Sequence, residues 1–333
     1  MTNNLINNLI NNLNKTIKAF NKLDFIKKLL VLFLILVFSF IILNNFNNLS
    51  DHNIFENFED SNETGSNKNN FIIKADNKIF DTFYAKYYDS LHLNKKRNDF
   101  EINKIVNIGK KNKYTKILDI GCGTGYHVNA LQKKKYNVIG LDQSEAMVLK
   151  AKEKYPECEF LQGNILNNNL FDYNTFTHIL CLGQTIYYIK NKNKFFENCY
   201  SLLAEGGYLI VHLVNRNLFR PYISPDDSTV LYDPEKYQEK KVTQTIVKFD
   251  KNNEYISNYE ELNSTNDSLP YSVYKEKFQN FSTNNIRKNE INLYMPELTK
   301  ILSIAKSKGF KVHKKIAMDS VNYKNQYLYV LKK

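Results

Sequence analysis

From about residue 78 onward, short apolar runs alternate with amphipathic stretches. The runs are "TKILDI" (115–120), "NVIGLD" (137–142), "CEFLQG" (158–163), "FTHILCL" (176–182) and "GYLIVHLV" (207–214). Their length and branched side chains predict buried strands. Between them, "YHVNALQKK" (126–134), "SEAMVLKAKEK" (144–154) and "NKFFENCYSLLAEG" (193–206) space apolar residues by three and four, which predicts helices. A helical stretch, "NDFEINKIVNIGKKN" (98–112), precedes them. Alternation at this pitch implies parallel βαβ units in an α/β, doubly wound, seven-stranded and mostly parallel sheet.

Residues 215–285 break the rhythm. "VTQTIVKFDKNNEYISNYEEL" reads as a hairpin turning at Asp250–Asn253, so a β-rich insertion is expected after the fifth strand. Alternation resumes with "KNEINLY", the helix "PELTKILSIAKSKG", and strands "FKVHKKIA" and "QYLYVLK". Pro296 opens that helix and Gly309 closes it.

The first 77 residues follow other rules. In 1–24, apolar residues at Leu5/Ile6, Leu9/Ile10, Leu13, Ile17 and Phe20 fit an amphipathic helix or an Asn-rich low-complexity tract. "LLVLFLILVFSFIIL", Leu29–Leu43, has Ser39 as its one polar residue. It is short of the roughly 20 residues a span needs. Lys27 and Lys28 can snorkel, and Phe25, Ile26 and Phe46 extend the run to 25–46. No small-residue cleavage site follows, so an uncleaved, single-pass membrane anchor is expected rather than a signal peptide. Five lysines precede the run, at 15, 18, 22, 27 and 28, and none follows until Lys68. That bias puts the N-terminus in the cytosol and the globular part across the membrane. Residues 47–77 read as a flexible tether leading into a domain over 78–333.

The formal charge of +12 suggests nucleic acid or an anionic surface. Yet Lys and Asn are inflated together and only four arginines occur, Arg97, Arg216, Arg220 and Arg287, which fits AT-rich coding. The cysteines, Cys122, Cys158, Cys181 and Cys199, form no CxxC or Cys/His cluster, so neither a disulfide framework nor a metal site is expected.

The chemistry concentrates at "KILDIGCGTGYH" (116–127). A buried run ends in Asp119, and Gly121, Gly123 and Gly125 follow at alternate positions. Such a turn sits at the carboxyl edge of the sheet, where ligands bind, and bare backbone allows close approach. The spacing is G-x-G-x-G, neither the dinucleotide fingerprint nor a P-loop. Asp142, ending the second strand, can take both hydroxyls of a ribose. Together these suit a nucleoside carrying an amino-acid moiety, with Asp119 toward its ammonium.

Over about residues 80–333 the sequence resembles the class I S-adenosylmethionine (SAM)-dependent methyltransferases, which implies a Rossmann-like fold. "LDIGCGTGYH" resembles their first motif, implying cofactor contacts from Asp119, Gly121, Cys122, Gly123, Thr124 and Gly125. "VIGLDQSEAMV" resembles the second, with Asp142 and Gln143 at the ribose and Met147 near the adenine. "FLQGNIL" resembles the third and implies Gly163, Asn164 and Ile165, with Asn164 standing where the family usually has an acid. "HILCLGQTIYYI" resembles the fourth, implying Leu182 and Gln184. "YAKYYDSLH", with Lys95 and Glu101 after it, resembles the opening segment of small-molecule N-methyltransferases. Tyr84, Tyr87, Tyr88, Tyr187 and Tyr188 are expected pocket walls, with Tyr88, Tyr187 and His212 as candidates at the reacting atoms. Cys122 is expected to be a small residue in a tight turn, not a nucleophile.

The resemblance implies SAM as cofactor, a small-molecule or lipid acceptor, and no nucleic-acid or metal partner. A lipid or quinone headgroup enzyme and a non-catalytic SAM-binding membrane protein are the alternatives. SAM made in the cytosol conflicts with the topology that the lysines imply.

Overall fold

The computed structural model describes residues 71–167, 169–219, 221, 243–249, 252–262 and 270–333, with Asp24 and Lys27. The chain divides into two units, Met1–Asn67 and Lys68–Lys333. In the first, the Lys27 amide donates to Asp24 Oδ1 at 3.0 Å. The span expected over 25–46 otherwise lies outside the described residues. Among the described residues, no helix is long and apolar enough to cross a membrane.

The second unit opens with β1 (Phe71–Ala75), a 3₁₀ turn at Asp76–Ile79, α1 (Thr82–His92) and α2 (Lys95–Ile105). Asp81 caps α1 through the Tyr84 amide, and Asn94 caps α2 through the Arg97 amide. Then follow β2 (Lys116–Ile120), α3 (Tyr126–Lys133), β3 (Asn137–Asp142), α4 (Glu145–Lys154), β4 (Glu159–Gln162), β5 (Phe176–Cys181), α5 (Lys192–Leu202) and β6 (Leu203–Val214). After these come β7 (Gln244–Lys248), β8 (Asn253–Glu261), β9 (Ser272–Asn280), β10 (Asn285–Leu293), α6 (Leu298–Ser307), β11 (Lys311–Met318) and β12 (Tyr323–Lys332).

Seven strands form the main sheet in the order β11-β12-β6-β5-β2-β3-β4. The β2–β3, β2–β5, β3–β4 and β5–β6 pairs are parallel, and β12 runs antiparallel to both neighbours. The chain leaves β2 toward β3 and β4, then returns to β5 on the other side. That reversal opens a crevice at the carboxyl end of β2, where the glycine loop begins.

The second sheet, β1-β10-β9-β8-β7, has five strands, antiparallel except for the β1–β10 pair. Its inward residues Tyr255, Tyr259, Phe278 and Ile291 join the same core as Leu118, Ile120 and Phe196 of the main layer. The expected insertion is therefore a layer of its own, and three boundaries differ from expectation. Phe71–Ala75 is a strand rather than the end of a tether, because β10 offers it a parallel partner from Phe71↔Ile286 to Ala75↔Glu290. "KNEINLY" belongs to this second sheet, not the main one, since Arg287, Asn289, Ile291 and Leu293 alternate inward against β9. The helix expected over 193–206 ends at Leu202, because Leu203 already pairs with Phe176. The β7–β8 hairpin sets Lys248 opposite Glu254, around the expected turn.

Candidate active site

β2 and α3 are joined by backbone that side chains would obstruct. Gly121 has φ 68°, and a Cβ there would meet the Thr185 side chain at 2.5 Å. Gly123 has φ 53°, and its Cβ would press on the Tyr88 ring at 3.2 Å. The cradle is thus closed in by Thr185 and Tyr88, and only glycine keeps it open.

Asp142 faces this loop from the end of β3. Its Oδ2 accepts from the Gly123 amide and its Oδ1 from the Ser144 amide, each at 2.9 Å. Burial pushes the Asp142 carboxyl above its ordinary range, opposed by the backbone donors Ser144, Gly123 and Gln143. Ser144 in turn caps α4 through the Met147 amide and donates to the Phe80 carbonyl.

A cavity of about 470 Å³ opens along these residues. Of the expected cofactor residues, Gly121, Gly123, Asp142, Gln143 and Met147 line it, as do Gly163, Asn164 and Ile165. The others lie behind. Asp119 is 2 % exposed beneath the loop, and burial beside Glu101 and Asp142 holds its carboxyl up at about 7. Cys122 turns its sulfur toward Gly140, and burial pushes its thiol up. That is a packing role, not a nucleophile's. Thr124 donates to Asp89, Gly125 precedes α3 in the left-handed region, and Leu182 packs in the core. The Gln184 amide donates to Gln326 Oε1 at 3.1 Å.

The candidates for the reacting centre separate. Tyr88 lines the cavity, and burial holds its hydroxyl at about 12, so it stays protonated. Tyr187 does not line it. Its hydroxyl accepts from the Val214 amide at 2.8 Å and ties the 3₁₀ turn after β5 to the end of β6. His212 does not line it either. Strand alternation gives it the parity of Ile210, toward α2, and its Nε2 meets Gln326 Oε1 at 3.0 Å. Burial drops its imidazole to about 4.

Beyond the residues expected from the sequence, His92, Arg97, Thr185, Asn292 and Tyr294 also line the cavity, beside Tyr84 and Tyr188. Arg97 is held by three acceptors. Its Nη2 donates to the His92 carbonyl at 3.0 Å and to Asn98 Oδ1 at 2.9 Å, and its Nη1 reaches the Tyr323 hydroxyl at 3.5 Å. A scarce arginine in a lysine-rich chain was the signal for it. Arg287 is another. It forks onto Asp81 at 2.8–2.9 Å and donates to the Ile79 carbonyl, locking β10 to the turn at the cavity rim.

Residues 117–207 match the family model described as a methyltransferase domain. Over this segment the chain resembles methyltransferase domains. It is 30 % identical over 105 residues to a probable S-adenosylmethionine-dependent methyltransferase of Mycolicibacterium smegmatis, covering 32 % of this chain and 40 % of that protein. A ubiquinone biosynthesis O-methyltransferase of Coxiella burnetii is 31 % identical over 111 residues, 32 % of this chain and 46 % of that protein. The chain thus spans under half the length of these curated relatives. Among solved structures, the CcbJ methyltransferase from Streptomyces caelestis superposes with TM-score 0.56 at 14 % identity, covering 76 % of this chain and 98 % of that one. The sugar N-methyltransferase KedS8 from Streptoalloteichus gives TM-score 0.53 at 15 % identity, covering 75 % and 92 %. At these identities the likeness is one of fold. It reaches well beyond the methyltransferase domain's 117–207 match and takes in most of the described chain.

Proposed function

We propose that this chain is a SAM-dependent enzyme that methylates a small-molecule acceptor of amine, sugar or carboxylate type. The observation that carries the reading is the glycine cradle hydrogen-bonded to Asp142 at the mouth of the cavity. Two lining glycines whose Cβ atoms would close the cradle, beside a carboxylate free to accept from vicinal hydroxyls, fit a ribosyl cofactor. When bound, SAM supplies a methyl group already activated on a sulfonium.

The residues supply position and dryness. Asp142 would hold the ribose, and Asn164 and Met147 would flank the base. Arg97, lining the same cavity, would supply the guanidinium for the amino-acid carboxylate. Tyr84, Tyr88 and Tyr188 wall the remaining space against water, while Thr185 closes over Gly121. Sugar N-methylation by the fold neighbour KedS8 supports the small-molecule class.

A second reading is a lipid or quinone headgroup acceptor. It draws on the apolar run Leu29–Leu43, proposed as a membrane anchor with a cytosolic N-terminus, and on the Coxiella burnetii relative. The test is methyl-labelled SAM offered with glucosamine, glycine, catechol and a total lipid extract. Label in a water-soluble product supports the first reading, and label in the lipid phase supports the second. Binding of SAM with no label transferred in any arm would favour a non-catalytic SAM-binding protein.

A further inference from the structure

Two cavity-lining side chains of α1 continue into the second sheet. The Tyr84 hydroxyl lies 3.0 Å from His92 Nε2 and donates to Glu276 Oε1 at 2.8 Å. Glu276, on β9, is 2 % exposed. It also accepts from the Tyr255 hydroxyl at 2.7 Å and the Asn289 amide at 2.9 Å. Tyr84 has one hydroxyl proton, and Glu276 takes it. His92 Nε2 must then carry its own proton and donate to the Tyr84 oxygen. That leaves Nδ1 as the imidazole's acceptor, and it has no hydrogen bond among the described residues. Tyr84 and His92 line the cavity, and Glu276 does not.

We propose that His92, Tyr84 and Glu276 form a proton-accepting relay, with His92 Nδ1 taking the proton that the methyl acceptor gives up. The proposal rests on the reading of this cavity as a methyl-transfer site. With an amine or hydroxyl acceptor the N–H or O–H bond breaks, and its proton passes to His92 Nδ1; a carboxylate acceptor has no proton to give and would leave the relay idle. The Nε2 proton passes to the Tyr84 oxygen, and the Tyr84 proton passes to Glu276 Oε1. The electron pair left on the acceptor forms the bond to the methyl carbon. The carbon–sulfur pair stays on sulfur, which becomes a neutral thioether. His92 ends as its other neutral tautomer, and Glu276 ends as a neutral acid.

The surroundings favour this route over a lone histidine base. Burial, then the Arg97 charge, lowers the imidazole to about 4, with Asp89 opposing, so a standing imidazolium is disfavoured. The Tyr88 ring, at 4.8 Å, covers it without adding a charge. Burial pushes the Glu276 carboxyl upward, against donors Asn289, Tyr255 and Tyr84 and the Arg287 charge. Both effects penalise buried charge, and a proton resting on Glu276 removes one. Tyr255 and Asn289 fix the carboxylate, so Glu276 acts as a positioning residue and proton store behind the two that face the acceptor.

The deciding experiment is ¹⁵N-imidazole NMR of the full chain in detergent with S-adenosylhomocysteine, over pH 5–8, with His92→Gln assigning the signal. His92 is expected to be neutral throughout and at least fourfold biased to the Nε2–H tautomer, with the bias lost in Tyr84→Phe. An imidazolium at pH 7, a dominant Nδ1–H tautomer, or a bias unchanged in Tyr84→Phe would overturn the relay. For any panel acceptor that is methylated, Glu276→Gln and Tyr84→Phe should lower kcat at least tenfold. S-adenosylhomocysteine affinity should stay within twofold. Undiminished kcat in both variants overturns the relay as well. Failure to bind S-adenosylhomocysteine would instead count against the proposed function, so the two failures are distinguishable.

Discussion

The amide of Gly123 donates to Oδ2 of Asp142 across 2.9 Å, so the glycine loop after β2 and the acid ending the neighbouring strand β3 form one corner. The bond uses one carboxylate lone pair and leaves others toward the cavity. The Gly121 and Cys122 amides add bonds to the Leu141 carbonyl, at 2.7 and 3.2 Å, from the same strand.

Gly121→Ala should therefore damage the corner twice. Left-handed φ costs a non-glycine residue about 1–2 kcal/mol. The new methyl also meets Thr185 at 2.5 Å. Thermal denaturation should show a lower midpoint, partly restored in Gly121→Ala/Thr185→Ala, since only the steric part is relieved. Full restoration would mean that backbone conformation contributes nothing.

Arg287 spans the second sheet and the turn before α1. Arg287→Lys keeps the charge but loses the fork onto Asp81 and the bond to the Ile79 carbonyl. A loss of about 1.5–3 kcal/mol, the range for charged hydrogen bonds, should follow in urea titrations. Unchanged stability would show that the second sheet does not depend on this clamp.

Asp119 gives a pH signature. Its folded carboxyl is held up at about 7, above its ordinary 3.8, because burial favours the neutral form. Its contribution is thus fully present below about 3.8 and fades as pH rises to about 7. Asp119→Asn should remove that fade. The wild-type-minus-variant difference in melting temperature should grow more negative from pH 4 to 7 and level off above. A flat difference would contradict the assignment.

What could be read from the sequence was local. Strand, glycine turn, helix, strand and Asp142 lie within 116–142, and their spacing carries both the fold and the site. What could not be read depends on distant pairings. β1 is a strand only because β10 lies 215 positions later, as in Phe71↔Ile286. Likewise, Tyr84 meets Glu276 across 192 positions, because β9 packs beside α1, and a hairpin pattern does not say where its sheet will dock. His212 shows a third gap. A strand pattern says that neighbours alternate faces, but not which face meets the cavity.

The proposed anchor has its own check. Full-length protein should stay in the membrane pellet after carbonate washing, while a chain beginning at Lys68 should be recovered in the supernatant. Full-length protein in the supernatant would contradict the reading of Leu29–Leu43 as a span.

The most direct test of the cofactor site is calorimetric titration of SAM into the full chain and into Asp142→Ala. The account predicts one site in the wild-type chain. In the variant, binding should weaken by about 1.5–3 kcal/mol, the cost of losing charge-assisted bonds, or roughly 10- to 150-fold. No binding by the wild-type chain, or equal affinity in both, would contradict it.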